Sequence, residues 1–388
     1  MKKILALMLA LVMVLSLAAC GASDAPAADA PDAEAPAAEY KVAMVTDYGD
    51  ITDQSFNQTT YEACKAFAEA NGVDFTYYKP AGDSDAERVA MIEKAVDEGY
   101  NVIVLPGFAF ANAIAAAAPQ YTDVKFIALD VSEFDLTSAG LTAETMKNVY
   151  SAVYQEELSG YMAGYAAVKL GYTKLGFLGG MAVPAVQKFG YGFVQGADAA
   201  AKELNITVDM NYIYGGLFYG TADITAVMDT WYQGGTEVVF ACGGGIYTSA
   251  VDAAKKVEGA KVIGVDVDQA GVIANYAGDA DTSLTITSAM KGLYPTTVDT
   301  LTDVIVNGNW EKYAGKVATL GLVNGEDPTA NYVQLPMEST QWSDSFTQDN
   351  YKALVKGMFD GTIKVSADVS AMPATTNVNV SDQGQIVG

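Results

Sequence analysis

The stretch Lys41–Gln58, KVAMVTDYGDITDQSFNQ, decides the fold class of this chain. Its apolar run predicts a strand that ends at Asp47, and after a Gly-Asp turn the residues Ser55-Phe56-Asn57 open a predicted helix. In α/β proteins, a strand with a polar residue at its carboxyl end, followed by a loop and a helix N-terminus, forms one side of a ligand cleft. We therefore interpret this stretch as half of a binding site.

The rest of the chain repeats this alternation of short apolar runs and longer helical patterns. The runs that predict strands are VAMV, VDFTYY, NVIVLP, KFIALD, KLGFLG, TVDMNYIY, EVVFAC, KVIGVD and SLTITS. Repeated βα units of this kind predict an α/β fold with parallel sheets that helices cover on both faces. With 388 residues, 51% of them apolar, the chain has material for two cores, and we expect two lobes.

Composition excludes several classes of function. The chain has 47 acidic residues, 22 basic residues and no histidine. Without histidine, Ser-His-Asp and Cys-His catalysis and most metal sites are excluded, and acid-base chemistry is left to carboxylates, lysine and tyrosine. The strong negative charge argues against binding to nucleic acid. The DYGDITD segment lacks the alternation of a calcium loop, so we predict no metal and no cofactor.

The first residues have the pattern of a processing segment. Lys2 and Lys3 precede an apolar run, which ends in small residues before Cys20, as in a bacterial lipoprotein signal. The alternative, a transmembrane anchor, requires about 20 apolar residues, and the apolar run from Ile4 to Leu17 is shorter than that. We predict a signal peptide over residues 1–19, lipidation of Cys20 and a disordered, Ala- and Pro-rich tether over 20–39. The mature protein would lie outside the cytoplasm, held to the membrane by lipid only.

Aspartates, glycines and aromatic residues follow several of the predicted strands. They are Asp47, Gly107-Phe108, Asp130, the segment 215–218, the glycines 243–245 and Asp266. Because parallel strands bring their carboxyl ends to one edge of a sheet, we expect these residues to lie close together. Carboxylates accept hydrogen bonds from hydroxyl groups and rings stack on flat groups, which favours a neutral, polyhydroxylated ligand with a planar part.

Several motifs together resemble the basic membrane protein (BMP) family of ABC-transporter substrate-binding lipoproteins, especially its purine-nucleoside receptor branch. They are VTDYGDITDQSFNQ, NVYSAVYQEELSGYMAGYAA at 148–167, GFLGGMAVPAVQKFGYGFVQGA at 176–197, IYGGLF at 213–218, CGGGIY at 242–247 and VIGVDVDQ at 262–269. The resemblance extends from Lys41 to about Tyr294. It implies a periplasmic-binding-protein-like fold of type I, with two doubly wound lobes and a hinge. It also implies a monomer without enzymatic activity that passes a nucleoside to an ABC-transporter permease.

The resemblance also implies a set of ligand-binding residues. Phe56 and Phe218 resemble the two aromatic residues that stack on opposite faces of the base. The polar set is Asp47, Asn57 and Asp130 on the first lobe and Gly244, Asp266 and Lys291 on the second lobe and hinge. Lys291 is the single cation expected there. Two positions depart from the family pattern, Leu217 before the second aromatic residue and Tyr247 in the CGGGIY loop, and they leave the base preference open.

Ordinary structural roles are open for some of these residues. Phe56 could be a core residue of its helix and Lys291 a surface lysine, while Asp50 and Asp53 are expected to serve the turn and the helix cap. Cys64 and Cys242 are expected to be free, buried thiols. The alternative functions are a sugar or autoinducer-type receptor on the same fold and a hydrolase that cleaves nucleosides.

The lobes need not be continuous in sequence. We predict a first lobe of residues 40–150 plus about 284–310, and a second lobe of 151–283 plus about 311–365. The segment after Ser283 is expected to place its helix on the first lobe. Residues 366–388 are polar and predict a loosely ordered tail, with Thr362–Val365 as a possible edge strand.

Overall fold

A computed structural model describes residues 40–47, 49–279 and 281–386 of the chain. The predicted signal peptide, the lipidation site at Cys20 and the tether over 20–39 therefore lie outside the described residues. Strands and helices alternate through most of the described range, so the predicted α/β class is confirmed. None of the described helices combines the length and the apolar character that a membrane crossing requires.

Within the described residues, the secondary structure begins with a strand and ends with one. The strands are β1 (Lys41–Val45), β2 (Asp74–Tyr78), β3 (Val102–Pro106), β4 (Lys125–Leu129), β5 (Val149–Tyr154), β6 (Lys174–Gly179), β7 (Val208–Tyr214), β8 (Val238–Cys242), β9 (Lys261–Asp266), β10 (Thr285–Lys291), β11 (Lys316–Leu320), β12 (Val333–Gln334) and β13 (Val378–Gln385). The α-helices are α1 (Phe56–Asn71), α2 (Asp85–Asp97), α3 (Ala111–Ala117), α4 (Glu133–Ser138), α5 (Glu156–Lys169), α6 (Pro184–Leu204), α7 (Ala222–Gln233), α8 (Tyr247–Ala254), α9 (Ala270–Ala277), α10 (Leu293–Leu301) and α11 (Gln348–Phe359).

The strands form two sheets. The first sheet has the order β11-β5-β4-β3-β1-β2 and the second has the order β12-β10-β9-β8-β6-β7-β13. Neighbouring strands are parallel except for β10 and β12, which are antiparallel. In the first sheet the strand order reverses at β1, and in the second sheet it reverses at β6. Each sheet is therefore doubly wound, with loops that diverge at the point of reversal.

Apolar side chains on both faces of each sheet form the core. In β1, Val42 and Met44 pack into one buried cluster, whereas Ala43 and Val45 pack into another on the opposite face. The strands of the second sheet alternate in the same way between two further clusters. This explains why the strands appear in the sequence as continuous apolar runs, since neither face is left to water. Cys64 and Cys242 are free and buried, as predicted.

Helices α5 and α6 pack with their backbones in contact, through two glycines on each helix. A Cβ atom at Gly160 or Gly164 would lie 2.1 Å from a carbonyl oxygen of α6. A Cβ atom at Gly192 would likewise lie 2.1 Å, and one at Gly196 2.0 Å, from a carbonyl oxygen of α5. The spacing of four residues places each pair on one helix face. Both helices cover the second sheet. Helix α5 begins just after the end of β5, and helix α6 begins after the end of β6.

The strand pairing differs from the predicted lobe boundaries at three points. The boundary at 150/151 falls inside β5, a strand that was not predicted because Ser151 interrupts its apolar pattern; the Ser151 hydroxyl donates to Val131 O. Strand β11 pairs with β5 in the first sheet, although residues 311–365 were assigned to the second lobe. Strand β10 belongs to the second sheet, whereas the helix after it, α10, contacts α1 as expected.

The carboxyl-terminal segment also differs from the prediction. Thr362–Val365 forms no strand, whereas β13 pairs in parallel with β7 inside the segment expected to be a loose tail. Asp198 on α6 accepts hydrogen bonds from the backbone N–H groups of Asn377 and Val378, 2.6 and 3.1 Å away. Polar side chains are compatible with this strand because it lies at the exposed edge of the sheet.

The helix contact gives a first testable prediction. We expect Gly164→Ala to lower the free energy of unfolding by about 1–3 kcal/mol or more, because its methyl group would overlap the Phe193 carbonyl group. Gly271→Ala on α9 is the matched control: nothing lies within 4 Å of its Cβ position, so it should gain about 0.5–1 kcal/mol. Urea denaturation measures both. Equal effects of the two changes would contradict the close contact.

Candidate functional site

A cavity of about 370 Å³ lies between the carboxyl ends of the strands of the two sheets. Its volume is within the range of about 300–1,000 Å³ that small-molecule sites occupy. Each residue predicted for the site lines this cavity: Asp47, Phe56, Asn57, Asp130, Phe218, Gly244, Asp266 and Lys291. The structure therefore brings the predicted set together, and contact with a ligand stays a prediction.

The points where the strand order reverses position the cavity. In the first sheet, Asp47 follows β1 and Gly107 follows its neighbour β3, where a Cβ atom at residue 107 would lie 2.9 Å from Asp47 Oδ2. In the second sheet, Gly180 follows β6 and Gly243 follows its neighbour β8. Ligands of doubly wound sheets bind at such points because the diverging loops leave a crevice.

Two carboxylates fix the orientation of Asn57. Its amide nitrogen lies 3.3 Å from Asp47 Oδ1 and 3.2 Å from Asp53 Oδ2. Its amide oxygen is buried and has no hydrogen-bond partner among the described residues. Asp53 has the expected capping role, since it accepts from the backbone N–H groups of Ser55, Asn57 and Gln58. A ligand that donates a hydrogen bond would satisfy the amide oxygen of Asn57.

The two predicted aromatic residues reach the cavity from different sheets. Phe56 begins α1, after the first strand of the first sheet. Phe218 lies on the loop after β7, with its ring against Gly180 and Gly243; Cβ atoms there would lie 2.5 and 2.9 Å from the ring. Gly245 N–H donates to Phe218 O at 2.8 Å and so holds this loop in place. Both rings are half-buried, with one part available to the cavity.

Lys291 occupies the centre of a buried cluster of charges. Its Nζ atom lies 2.5 Å from Asp130 Oδ2, 3.7 Å from Asp266 Oδ1 and 3.8 Å from Glu156 Oε1. The same Nζ lies 4.7 Å from the centroid of the Phe56 ring, within the distance of a cation–π interaction. Lys291 is only 5% exposed, so it is not a surface lysine. The carboxylates come from the ends of β4 and β9 and from the start of α5.

The backbone at two of these carboxylates is unusual. Asp130 and Asp266 have φ angles of +60° and +66°, in the left-handed region that few non-glycine residues adopt. Residues held in such conformations cluster at ligand sites, because the surrounding structure must offset a cost of about 1–3 kcal/mol. In both cases the turn directs the carboxylate at a strand end into the cavity.

Burial and charge change the pKa values in this cluster. Burial acts to lower the pKa of Lys291, but the carboxylates of Asp130, Asp266 and Glu156 outweigh it and raise that pKa. Burial raises the pKa of the Asp266 carboxyl, although Lys291 and the Ser55 hydroxyl act in the opposite direction. Burial also raises the pKa of Glu156. At neutral pH the lysine is therefore charged, and two of the carboxyl groups bind protons more readily than they would in water.

Direct hydrogen bonds connect the loops of the two sheets across the cavity. Ser55 Oγ, at the start of α1, donates to Asp266 Oδ2 at 2.5 Å. Gln269 Nε2, before α9, donates to the backbone oxygen of Gln54 at 3.1 Å. These bonds, with the Lys291–Asp130 pair, join elements more than 160 residues apart in the chain. The cavity is thus closed on the side of α1 by contacts between the two sheets.

The structure adds residues that the sequence prediction missed. Lys79 and Lys188 also line the cavity, so the expectation that Lys291 is its single cation is wrong. Lys188 Nζ lies 3.4 Å from Glu156 Oε2, and both residues lie near the N-termini of their helices. Glu156 follows β5, a strand that the sequence did not reveal. Tyr247, one of the two departures from the family pattern, is buried and contacts Tyr276 edge-on.

The donor set does not favour a metal. Within the described ranges, no group of three or more carboxylate or thiol side chains could hold a metal ion. The carboxylates in the cavity are instead paired with lysines or with N–H and O–H donors. This arrangement suits hydrogen bonds to a neutral organic ligand.

Comparison with known proteins identifies a family. A family model for PnrA-like ABC transporter substrate-binding proteins (Bmp) matches residues 40–352. The chain is 29% identical over 298 residues to a Lactococcus lactis protein named ABC transporter nucleoside-binding protein BmpA, covering 74% of this chain and 80% of the relative. An uncharacterized lipoprotein of Pyrococcus furiosus is 27% identical over 296 residues, which are 74% of this chain and 68% of that protein.

Solved structures share the fold. A crystal structure of ABC transporter system solute-binding proteins from Aeropyrum pernix K1 has a TM-score of 0.64 and 22% identity, covering 84% of this chain and 87% of that chain. A corresponding protein from Conexibacter woesei has a TM-score of 0.63 and 22% identity, covering 84% of this chain and 99% of that chain. The expected periplasmic-binding-protein-like fold is therefore confirmed.

The charge cluster gives a second prediction. Lys291→Met keeps most of the side-chain volume and leaves the surrounding carboxylates buried without their cation, which should cost about 3–5 kcal/mol of folding free energy at pH 8. Without the lysine, the pKa values of Asp266 and Glu156 rise further. Both groups then bind protons more tightly in the folded than in the unfolded state, so the deficit should shrink as the pH falls from 8 to 5.

Urea denaturation at both pH values measures this effect. Lys65→Met is the matched control, because its ammonium group is exposed and lies 3.9 Å from one carboxylate. We expect the control to change the free energy of unfolding by less than about 0.5 kcal/mol. A deficit for Lys291→Met that stays constant with pH would contradict the assigned electrostatics.

Proposed function

This chain belongs to the PnrA-like family of ABC transporter substrate-binding proteins, and on that premise we propose that it captures a purine nucleoside between its two sheets for delivery to an ABC importer. Membership of the family implies a ligand and a transporter partner. The proposal includes an extracytoplasmic monomer, anchored through a lipid on Cys20 and without enzymatic activity. Relatives named lipoproteins support the anchor.

The observation that supports a nucleoside most strongly is the pair of aromatic residues. Phe56 and Phe218 line one cavity from opposite sheets. Rings that approach from two sides match the two flat faces of a purine base. The Lactococcus lactis relative that is named a nucleoside-binding protein agrees with this choice.

The polar residues would bind the ribose and the edges of the base. Asp47, with Asn57 beside it, lies next to the start of α1 and offers acceptors on the side of the first sheet. Asp130, Asp266 and Lys291 form the charged cluster below the Phe56 ring and would bind ribose hydroxyl groups. Gly244 would allow close approach of the ligand, since the loop there carries no side chain. In the closed cleft these contacts come from both sheets, so the ligand favours closure.

The two alternative functions make different demands on the same cavity. A pyranose receptor needs hydroxyl-binding carboxylates, which are present, but it does not need rings on two sides. A nucleoside hydrolase needs a carboxylate that activates water, commonly with a metal. The carboxylates near the ligand space are engaged by Lys291, Ser55 and Asn57, and the Lactococcus lactis relative is named a binding protein.

The third prediction separates stacking from core packing. Phe56→Ala and Phe218→Ala should each weaken nucleoside binding about tenfold to hundredfold, since stacking on a base contributes about 1–3 kcal/mol. The melting temperature without ligand should change little. Phe134→Ala, with a ring that is 77% exposed on α4, is the control that should leave both quantities unchanged. Retained affinity with a loss of about 3–5 kcal/mol of stability would instead make the residue a core phenylalanine.

The fourth prediction concerns charge. The described lining includes seven carboxylates and three lysines, and this excess of negative charge repels phosphate. Guanosine and inosine should therefore bind far more tightly than their monophosphates, as measured by calorimetry. The same panel should include glucose and galactose: binding of a sugar without a nucleoside would favour the sugar-receptor alternative, and release of free base from inosine would show hydrolysis.

A further inference from the structure

We propose that Glu156 is a positioning residue of this site, whose carboxylate holds the Lys291 ammonium group in place for the ligand. This inference rests on the proposed nucleoside binding. It extends that proposal to Glu156, which would act on the ligand through Lys291. Glu156 is the first residue of α5, directly after the crossover from the first sheet. Its side chain is 2% exposed and lines the cavity.

The carboxylate of Glu156 lies between two lysines. Oε1 is 3.8 Å from Lys291 Nζ, and Oε2 is 3.4 Å from Lys188 Nζ. Lys188 is held in turn by α6, and its Nζ also donates to Tyr154 O at 3.2 Å. Because one oxygen faces each lysine, the orientation of the carboxylate is set from both sides. The Glu156 carboxylate therefore has a fixed orientation, in which it can hold the Lys291 ammonium group.

Lys291 needs such a partner because Asp130, its nearest carboxylate, lies on the opposite sheet and moves away when the cleft opens, whereas Asp266, on the neighbouring strand β9, is 3.7 Å away. Asp130 follows β4 of the first sheet, and Asp266 ends β9 of the second sheet. A lysine has a flexible four-carbon stem, so it would follow whichever carboxylate is nearest. Glu156 and Lys291 both lie at crossovers between the sheets, where a hinge motion moves atoms least. Their pairing would keep the ammonium group at the cavity through opening and closing.

A purely structural role for Glu156 predicts different behaviour. Acidic residues in the first turn stabilise a helix through its dipole, and Glu157 shares that turn. Glu157 is also buried but does not belong to the cavity lining that the structure describes. It is therefore a matched control for the loss of a buried carboxylate at this helix end.

The titration of Glu156 adds a second way to recognise its role. Burial raises the pKa of Glu156 to about 7, although Lys291 and Lys188 act to lower it. The charged and titratable groups around it are Asp130, Tyr154, Lys188, Cys242 and Lys291. The chain has no histidine that could titrate in the same range. A raised carboxyl pKa means that ionised Glu156 disfavours the folded state at pH 8, so its removal need not lower stability.

The test compares Glu156→Gln with Glu157→Gln in the full protein. We expect Glu156→Gln to bind guanosine about tenfold more weakly at pH 8, with a melting temperature no lower than that of the wild type. Wild-type affinity should fall between pH 8 and 6 as Glu156 gains a proton, whereas the affinity of Glu156→Gln should stay constant. Glu156→Asp should restore part of the affinity, and Glu157→Gln should behave as the wild type.

Several results would overturn the inference. Equal affinity and equal pH dependence of Glu156→Gln and wild type would remove the positioning role and leave nucleoside binding intact. Equal losses in the two glutamine variants would assign the effect to the helix end. If Glu156→Gln fails to fold, the wild-type protein still tests the inference. A guanosine affinity of the wild type that does not change between pH 8 and 6 would then contradict the positioning role. A wild type that binds no nucleoside would overturn the proposed function and this inference together.

Discussion

The rest of the site depends on one buried cation. Lys291 can stay charged at 5% exposure only because carboxylates lie on three sides of it. Those carboxylates come from a strand end in each sheet and from a crossover, so the lysine has all three partners only where the carboxyl ends of the two sheets meet. Unpaired charge inside a protein is costly, and the three carboxylates around this lysine avoid that cost. The centroid of the Phe56 ring lies 4.7 Å from the same ammonium nitrogen.

The close packing of α5 and α6 supports this arrangement from the side of the second sheet. The glycines bring the two helices into backbone contact, and the N-terminal ends of the pair carry Glu156 and Lys188. A helix pair without intervening side chains has few ways to shift. The separation between the Glu156 carboxylate and the Lys188 ammonium group at its end therefore stays constant. Interiors packed this densely transmit displacement as a unit, which favours motion between the sheets over motion within the pair.

Sequence reasoning located the strands with continuous apolar runs, because burial on both faces leaves a clear pattern. It failed for β5, where Ser151 interrupts the run, and for β13, whose polar residues form a strand only because β7 and Asp198 offer hydrogen bonds. For the site, Asp47 and Phe56 were identifiable from a local motif. Glu156 and Lys188 were not, since two residues 32 positions apart become partners only through the packing of their helices.

The left-handed backbone at Asp130 and Asp266 limits how this site can diverge during evolution. Only glycine, asparagine and aspartate adopt that conformation readily, so most substitutions there would disturb the turn as well as the carboxylate. Asparagine keeps the shape and exchanges one acceptor for a donor, and a single nucleotide change converts an aspartate codon into an asparagine codon. New ligand preferences in such a protein are therefore most accessible by exchange of acceptors for donors at these two turns, with the fold left unchanged.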